Sequence, residues 1–360
     1  MTAPPPGPPG PQPHWPGQPP FGGYPHPPTY PGGYPPPGYP GYPGGQSPWT
    51  EGHQPWGTPW KPGVIPLRPL SMSDIFNGAV AYVRANPRAT LGMTTAVVLV
   101  TAVLGFAVEY LAPLAAGDTG LLVGILTGAI ATVLATILLS GMLTVVVARA
   151  VLGRSITVGQ TWQRVRGRMP ALITLTLLEL LAVATLIGAV ILTIAGVARA
   201  ADGAAAALVG IPLVLLLIAA LGVLFTVLSL APMAIVLEHR SVTAALARSV
   251  ALARPQFWRI LGIRLLASLV ATLVAAAIAV PFEFAGQLVS VGDGPAAPAV
   301  LQTTVTTIGA AIGQIITTPF TAGVAALLYV DARIRSEAFD FLLQSASQHR
   351  SDADNIWLPR

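Results

Sequence analysis

SITVGQTWQRVRGRMPALITLTLLELLAVATLIGAVILTIA, residues 155–195, carries in one stretch the signals from which the architecture follows. Ser155-Ile156-Thr157 offers hydroxyls that can accept from the exposed N–H groups of a helix start. Val158, Trp162 and Val165 then fall on one helical face, with Gln163 and Arg164 between them and Arg166 just beyond. Pro170 ends this short helix, because the residue before a proline is pushed out of helical geometry. Beyond it, residues 171–195 form an apolar run longer than the roughly 20 residues a bilayer crossing needs. Its one charge is Glu179.

The same order recurs on either side. Ser71-Met72-Ser73 leads to Pro87 with Ile75, Ala79 and Val83 on one face, and Ser241-Val242-Thr243 leads to Pro255. The opening serines are 84 and 86 positions apart and the prolines 83 and 85. Apolar runs follow at about 91–114, 121–147, 171–195, 205–237, 260–280 and 300–330. The expected fold is therefore all-α integral membrane: six transmembrane helices as three repeats of amphipathic helix plus transmembrane hairpin. The repeats cover about 71–154, 155–240 and 241–335, and Arg335-Ser336 reads as the start of a truncated fourth.

Charge gives the orientation. Of the 19 basic residues, 18 lie before span one, between spans two and three, between four and five or just inside five, and after span six, leaving only Arg199 opposite. The positive-inside bias predicts a multi-pass protein of the plasma (inner) membrane with both termini cytoplasmic. The membrane domain is read as 63–341, followed by a cytoplasmic C-terminal tail, 342–360. Ahead of it, residues 1–62 form a proline-rich tail: the first 60 positions hold 22 of the 36 prolines, 13 of the 37 glycines and one charge, Glu51. That composition supports neither helix nor sheet and predicts disorder with polyproline II character. Its Tyr-Pro repeats and tryptophans could engage a protein partner, or the tail could be a spacer.

Four groups of residues stand out as candidates. Nine residues past the three prolines, about 13.5 Å of helix, stand Ala96, Glu179 and Arg264. Two opposite charges at equal depth predict a pair inside the bundle, with a snorkelling Arg264 as the alternative. Helix-weakening patches lie in the even spans at Ser140-Gly141, Ala231-Pro232 and Thr317-Thr318-Pro319. Tyr82, Trp162 and Trp258 suit interface anchors, with the neighbouring arginines facing anionic lipid headgroups. Gly124 and Gly128, and Gly309 and Gly313, have the spacing of close helix contacts.

Reactive chemistry is sparse. The chain has no cysteine, one lysine (Lys61) and five histidines, three of them in the tail. No metal-binding histidine pair, phosphate loop or nucleophile–base pair can be assembled, so no cofactor and no enzymatic activity are expected. Glu109, Asp118, Asp202, Glu283 and Asp293 map to the outer ends and loops. The net charge of +5 is arginine on one side of a membrane, which suits anionic lipid and not nucleic acid.

Two flanking motifs add a resemblance. Gly63-Val64-Ile65-Pro66-Leu67-Arg68-Pro69-Leu70 with Asp74-Ile75 and Asn86-Pro87, and the closing run from Leu328-Tyr329-Val330-Asp331 through Ala338-Phe339-Asp340, resemble actinobacterial proline- and glycine-rich membrane proteins. Those proteins are described as similar to the membrane domain of glycerophosphoryl diester phosphodiesterases. The likeness runs from about Gly63 to Phe341, with Ala338 where that family often has glycine. It implies a membrane part without the catalytic barrel, in lipid or envelope processes. On the sequence, a non-enzymatic scaffold or accessory protein is the first reading. A transporter or lipid-handling permease using the Glu179/Arg264 level and the kinked even spans is the alternative.

Overall fold

A computed structural model describes residues 61–201, 203–290, 297–348 and 355–358, without the side chains of 109–126, 289–290, 297–299, 347–348 and 355. The expected disordered tail lies outside the described residues, apart from positions 61 and 62. So do Asp202, Asp293, the side chains of Glu109 and Asp118, and the surroundings of Gly124.

Every regular element among the described residues is helical, and six segments are long and apolar enough to cross a membrane. It is a multi-pass membrane protein. Three short helices each precede a span. In α1 (Met72–Ala85) Ser71 Oγ accepts from the Asp74 N–H at 3.1 Å while the Asp74 carboxylate accepts from the Ser71 N–H at 2.9 Å. The same reciprocal cap joins Thr157 to Gln160 at the start of α3 (Val158–Val165), so Thr157, not Ser155, is the cap residue. Ser241 stands at the start of α7 (Val242–Ala253) without a side-chain cap bond.

The prolines break the chain more gently than their sequence suggests. Asn86 alone separates α1 from α2 (Pro87–Val151), and 3-10 turns at Arg166–Arg168 and Arg254–Gln256 lead into α4 (Met169–Ala200) and α8 (Phe257–Ser290). Pro87 and Pro170 occupy first-turn positions, where no helical N–H is missed. The return spans are the second half of α2, α5 (Gly203–Leu228) continued by α6 (Ala231–Leu237), and α9 (Ala297–Glu337). Helical bonding in α2 covers 65 residues, about 97 Å if straight. Val98 and Thr136 nevertheless wall the same cavity, so α2 turns back between its two apolar halves, Pro87–Val108 and Thr127–Val151.

The repeats form a closed ring. α3 packs on α2 of the preceding repeat, α7 on α5 and α6 of the one before it, and α1 on α9 of the last. Tyr82 and Val165 each stand five residues before the repeat proline, are fully buried, and fit against glycines of even spans. A methyl group at Gly323 would overlap the Tyr82 ring, and one at Gly141 would lie 2.9 Å from Val165. Gly309 and Gly313 likewise bring α9 against Phe282 and Ala275 of α8, whereas Gly128 faces open space.

Several expectations are corrected here. The buried faces of α1 and α7 are Ile75, Gly78, Ala79 and Tyr82, and Ala245, Ser249, Leu252 and Ala253, packed on protein and not on a membrane surface. Tyr82 is therefore no interface anchor: it is 0% exposed and its hydroxyl donates to the Pro319 carbonyl inside α9. In α3 the buried side is Thr161 and Val165, leaving Val158 and Trp162 43% exposed, and Trp258 is 81% exposed. Ser140-Gly141 interrupts nothing, since α2 runs through it. Pro232 follows a real break between α5 and α6, and Pro319 lies inside α9. Pro212 and Pro281, which sequence reading passed over, also lie inside helices. Finally, residues beyond 341 are not a plain tail, because α10 (Phe339–Gln348) buries Leu343 and a turn at Asn355–Trp357 buries Ile356 and Trp357.

Candidate functional site

All six spans contribute to one cavity of about 1020 Å³. Its floor is Ser140, Ser229, Pro232, Met233 and Ala325, next to the buried core at the end that carries α1, α3 and α7. Its walls climb away from that end to Ala102, Thr132, Val183, Leu221 and Thr307. Thr132, Thr136, Phe225, Ala310 and Gln314 line it and are exposed, so the cavity widens and opens away from its floor. The reason is the hairpin of α4 and α5. Its only buried residues are Leu172, Leu175 and Thr226 near the floor, and Ala206 and Gly210 within the hairpin, where Gly210 meets Ile194. The rest of the hairpin stands off from its neighbours.

Glu179 of α4 and Arg264 of α8 both face this cavity. Among the described contacts no hydrogen bond or direct ion pair joins them, yet they lie near enough to feel each other's charge. The Arg264 guanidinium lies 4.0 Å over the Phe225 ring. The first repeat offers Val97 and Val98 in place of the exposed Ala96. Arg264 is the one residue of α8 in the wall, because α9 packs between α8 and the cavity; the three odd spans are thus not equivalent around it. Threonines texture the lining: Thr101, Thr132, Thr136 and Thr321 donate back to carbonyls of their own helices, a way to hold hydroxyls inside a membrane. Thr176, Thr307, Thr318 and Gln314 make no such described bond.

Beneath the floor is a second constellation that sequence reading missed. Glu238, 2% exposed, accepts from Arg240 Nε at 2.6 Å, Arg248 Nε at 3.0 Å and the Tyr329 hydroxyl, and Arg333 lies 3.8 Å away. Arg248 and Arg333 also hold Glu337, the latter at 3.0 Å. Arg333 continues outward, 3.9 Å over the Phe339 ring and donating to the Trp357 carbonyl at 3.4 Å. On the other side Asp331 accepts from Arg335 at 3.0 Å, from Arg259, and from the Leu70 N–H at 2.7 Å. The Leu70 carbonyl accepts in turn from Arg335 at 2.9 Å and Arg259 at 2.5 Å.

Three carboxylates thus engage five arginines that the sequence assigns to lipid phosphates. Arg84, Arg88, Arg166 and Arg254 are exposed at the same end. The signal available in the sequence was sign: Glu238, Asp331 and Glu337 are acids placed among arginines. The flanking motifs also acquire a physical meaning. Residues 62–70 form a strap, with the Val64 N–H on the Ala150 carbonyl at 3.2 Å and Ile65 and Leu70 fully buried, and its last residue is clamped by the closing motif. Among the described residues no group of three His, Asp or Glu is gathered as a metal site.

A family profile described as "Domain of unknown function (DUF7847)" matches residues 70–332. That span runs from the clamped Leu70 to the residue after Asp331. No curated protein and no solved structure matches.

Proposed function

The chain belongs to the DUF7847 family, and from that premise we propose that it is a non-enzymatic, lipid-handling permease of the membrane. The observation that carries this reading is the cavity: six spans wall about 1020 Å³, with Glu179 and Arg264 in its lining. A scaffold needs no such space, and two charged groups at membrane depth are costly unless they serve a polar path or each other. The constellation of Glu238, Tyr329 and the arginines lies beneath the floor and closes the cavity at that end. Opening at the arginine-rich end requires α6 and α7 to part from α9, which is where these bonds lie. The resemblance to phosphodiesterase membrane domains points in the same direction, toward lipid. By the arginine asymmetry, the sealed end faces the cytoplasm of an inner membrane and the cavity opens toward the outside.

Reconstitution tests the reading. Liposomes with a fluorescent lipid in both leaflets should lose more than half of the signal to an external quencher when the protein is present. Ala311→Trp, which fills the cavity from α9, should return the loss to that of empty liposomes. A wild-type protein indistinguishable from empty liposomes sinks the permease reading.

Recruitment of a protein partner by residues 1–60 is a compatible second role, resting on the five Tyr-Pro pairs and four tryptophans of that segment. Deleting it should abolish co-purification of the partner and leave the membrane domain inserted.

A further inference from the structure

Two opposite charges that share a cavity without touching leave a gap between them. Arg264 and Glu179 sit at matching positions, nine residues past Pro255 and Pro170, and neither makes a described hydrogen bond. A direct ion pair would be the cheapest way to hold both groups at this depth, so its absence asks what completes them.

Arg264 supplies the first constraint. Its flat face is covered by the Phe225 ring at 4.0 Å. Stacking leaves the in-plane N–H donors uncovered, the fork that matches a phosphate or carboxylate. Glu179 supplies the second. A purely anionic group held by Arg264 meets a carboxylate charge at the same level, whereas a group with both signs presents its cation there. The surroundings supply the third. Val97, Leu175, Val183 and Leu224 line the same space, and the standing-off hairpin of α4 and α5 leaves it open beside them at membrane depth. A wholly polar solute leaves those surfaces unfilled, while an amphiphile places its chains along them.

Resting on the permease reading above, we propose that the cavity binds a zwitterionic lipid, its anionic phosphate on Arg264, its cationic amine on Glu179 and its chains leaving past the hairpin of α4 and α5. Thr176, one turn before Glu179, and Gln314 opposite offer the head group further hydrogen bonds.

The test uses the full chain in nanodiscs of equal phosphatidylethanolamine and phosphatidylglycerol, extracted into detergent, with retained lipid counted by mass spectrometry. Wild-type protein should retain the ethanolamine lipid about tenfold over the glycerol lipid, the effect of one charge-assisted hydrogen bond. Glu179→Gln, nearly the same shape, should keep the total and bring the ratio to about one. Arg264→Gln should lower both lipids about tenfold, with folding checked by gel filtration. Equal retention by wild-type protein, or an unchanged ratio in Glu179→Gln, overturns the zwitterion assignment. Full displacement of the lipid by free phosphoethanolamine overturns the lipid as occupant. If Ala311→Trp retains as much lipid as wild type, nothing occupies the cavity and the permease reading falls with it; if Ala311→Trp empties while the ratio stays at one, only the head-group inference fails.

Discussion

His239 and Ala338 occupy backbone that L side chains rarely adopt, at φ 56° and 50°, each just past the end of a helix. Left-handed geometry at such a position costs roughly 1–2 kcal/mol for a residue with a Cβ. Ala338→Gly and His239→Gly should each raise the unfolding free energy by about 1 kcal/mol, read as a higher midpoint in thermal or denaturant unfolding. Burial, and then the nearby Arg168, hold the His239 imidazole below its ordinary value of 6.5. A depressed folded value means the native state favours the neutral ring. Its small contribution is complete above pH 6.5 and fades as pH falls through the lowered folded value. His239→Gly should therefore flatten part of any decline in midpoint between pH 7 and 5. Gly323 is the opposite case, a residue needed for what it lacks. Gly323→Val should displace the Tyr82 ring, break its bond to Pro319 and cost about 1–3 kcal/mol, while the same change at the open Gly128 should be nearly silent.

At the scale of elements, the clamp between strap and α9 is the contact to probe. The Asp331 side chain is 1% exposed and answers Arg259, Arg335 and the Leu70 N–H. Asp331→Asn leaves those arginines without their partner and should cost about 3–5 kcal/mol, seen in denaturant unfolding and in proteolysis of the strap. Much of this level was legible beforehand: the caps of α1 and α3, the prolines, the six apolar segments and both flanking motifs were readable because each is a local pattern. What was not legible is which pattern meets which. Tyr82 has the amphipathic look of a membrane-surface residue, and only the small size of Gly323, far along the chain, turns it inward. The arginines looked lipid-facing for the same reason, since the acid at Glu238 hints at a partner by its sign alone and does not say that Arg240, Arg248 and the distant Tyr329 converge on it.

For the whole molecule, the ring of repeats means that no single loop holds the bundle together. α9 touches α1, α2, α7 and α8, so the first repeat meets the last without passing through the second. A chain expressed in two pieces, split between Arg154 and Ser155, should therefore reassemble, with a tag on either piece recovering both from detergent; recovery of the tagged piece alone would contradict the ring. The sequence showed three units but not their closure, because tandem similarity is equally compatible with a row. Closure also has a consequence in time. The amide of Leu70 waits for Asp331, 261 residues later. At about 5–20 residues per second of synthesis, α1 lacks its contact with α9 for roughly 13–50 s. Through that interval the face bearing Tyr82 is without the glycine of the final span that it packs against, so the last span to be made completes the burial of the first helix.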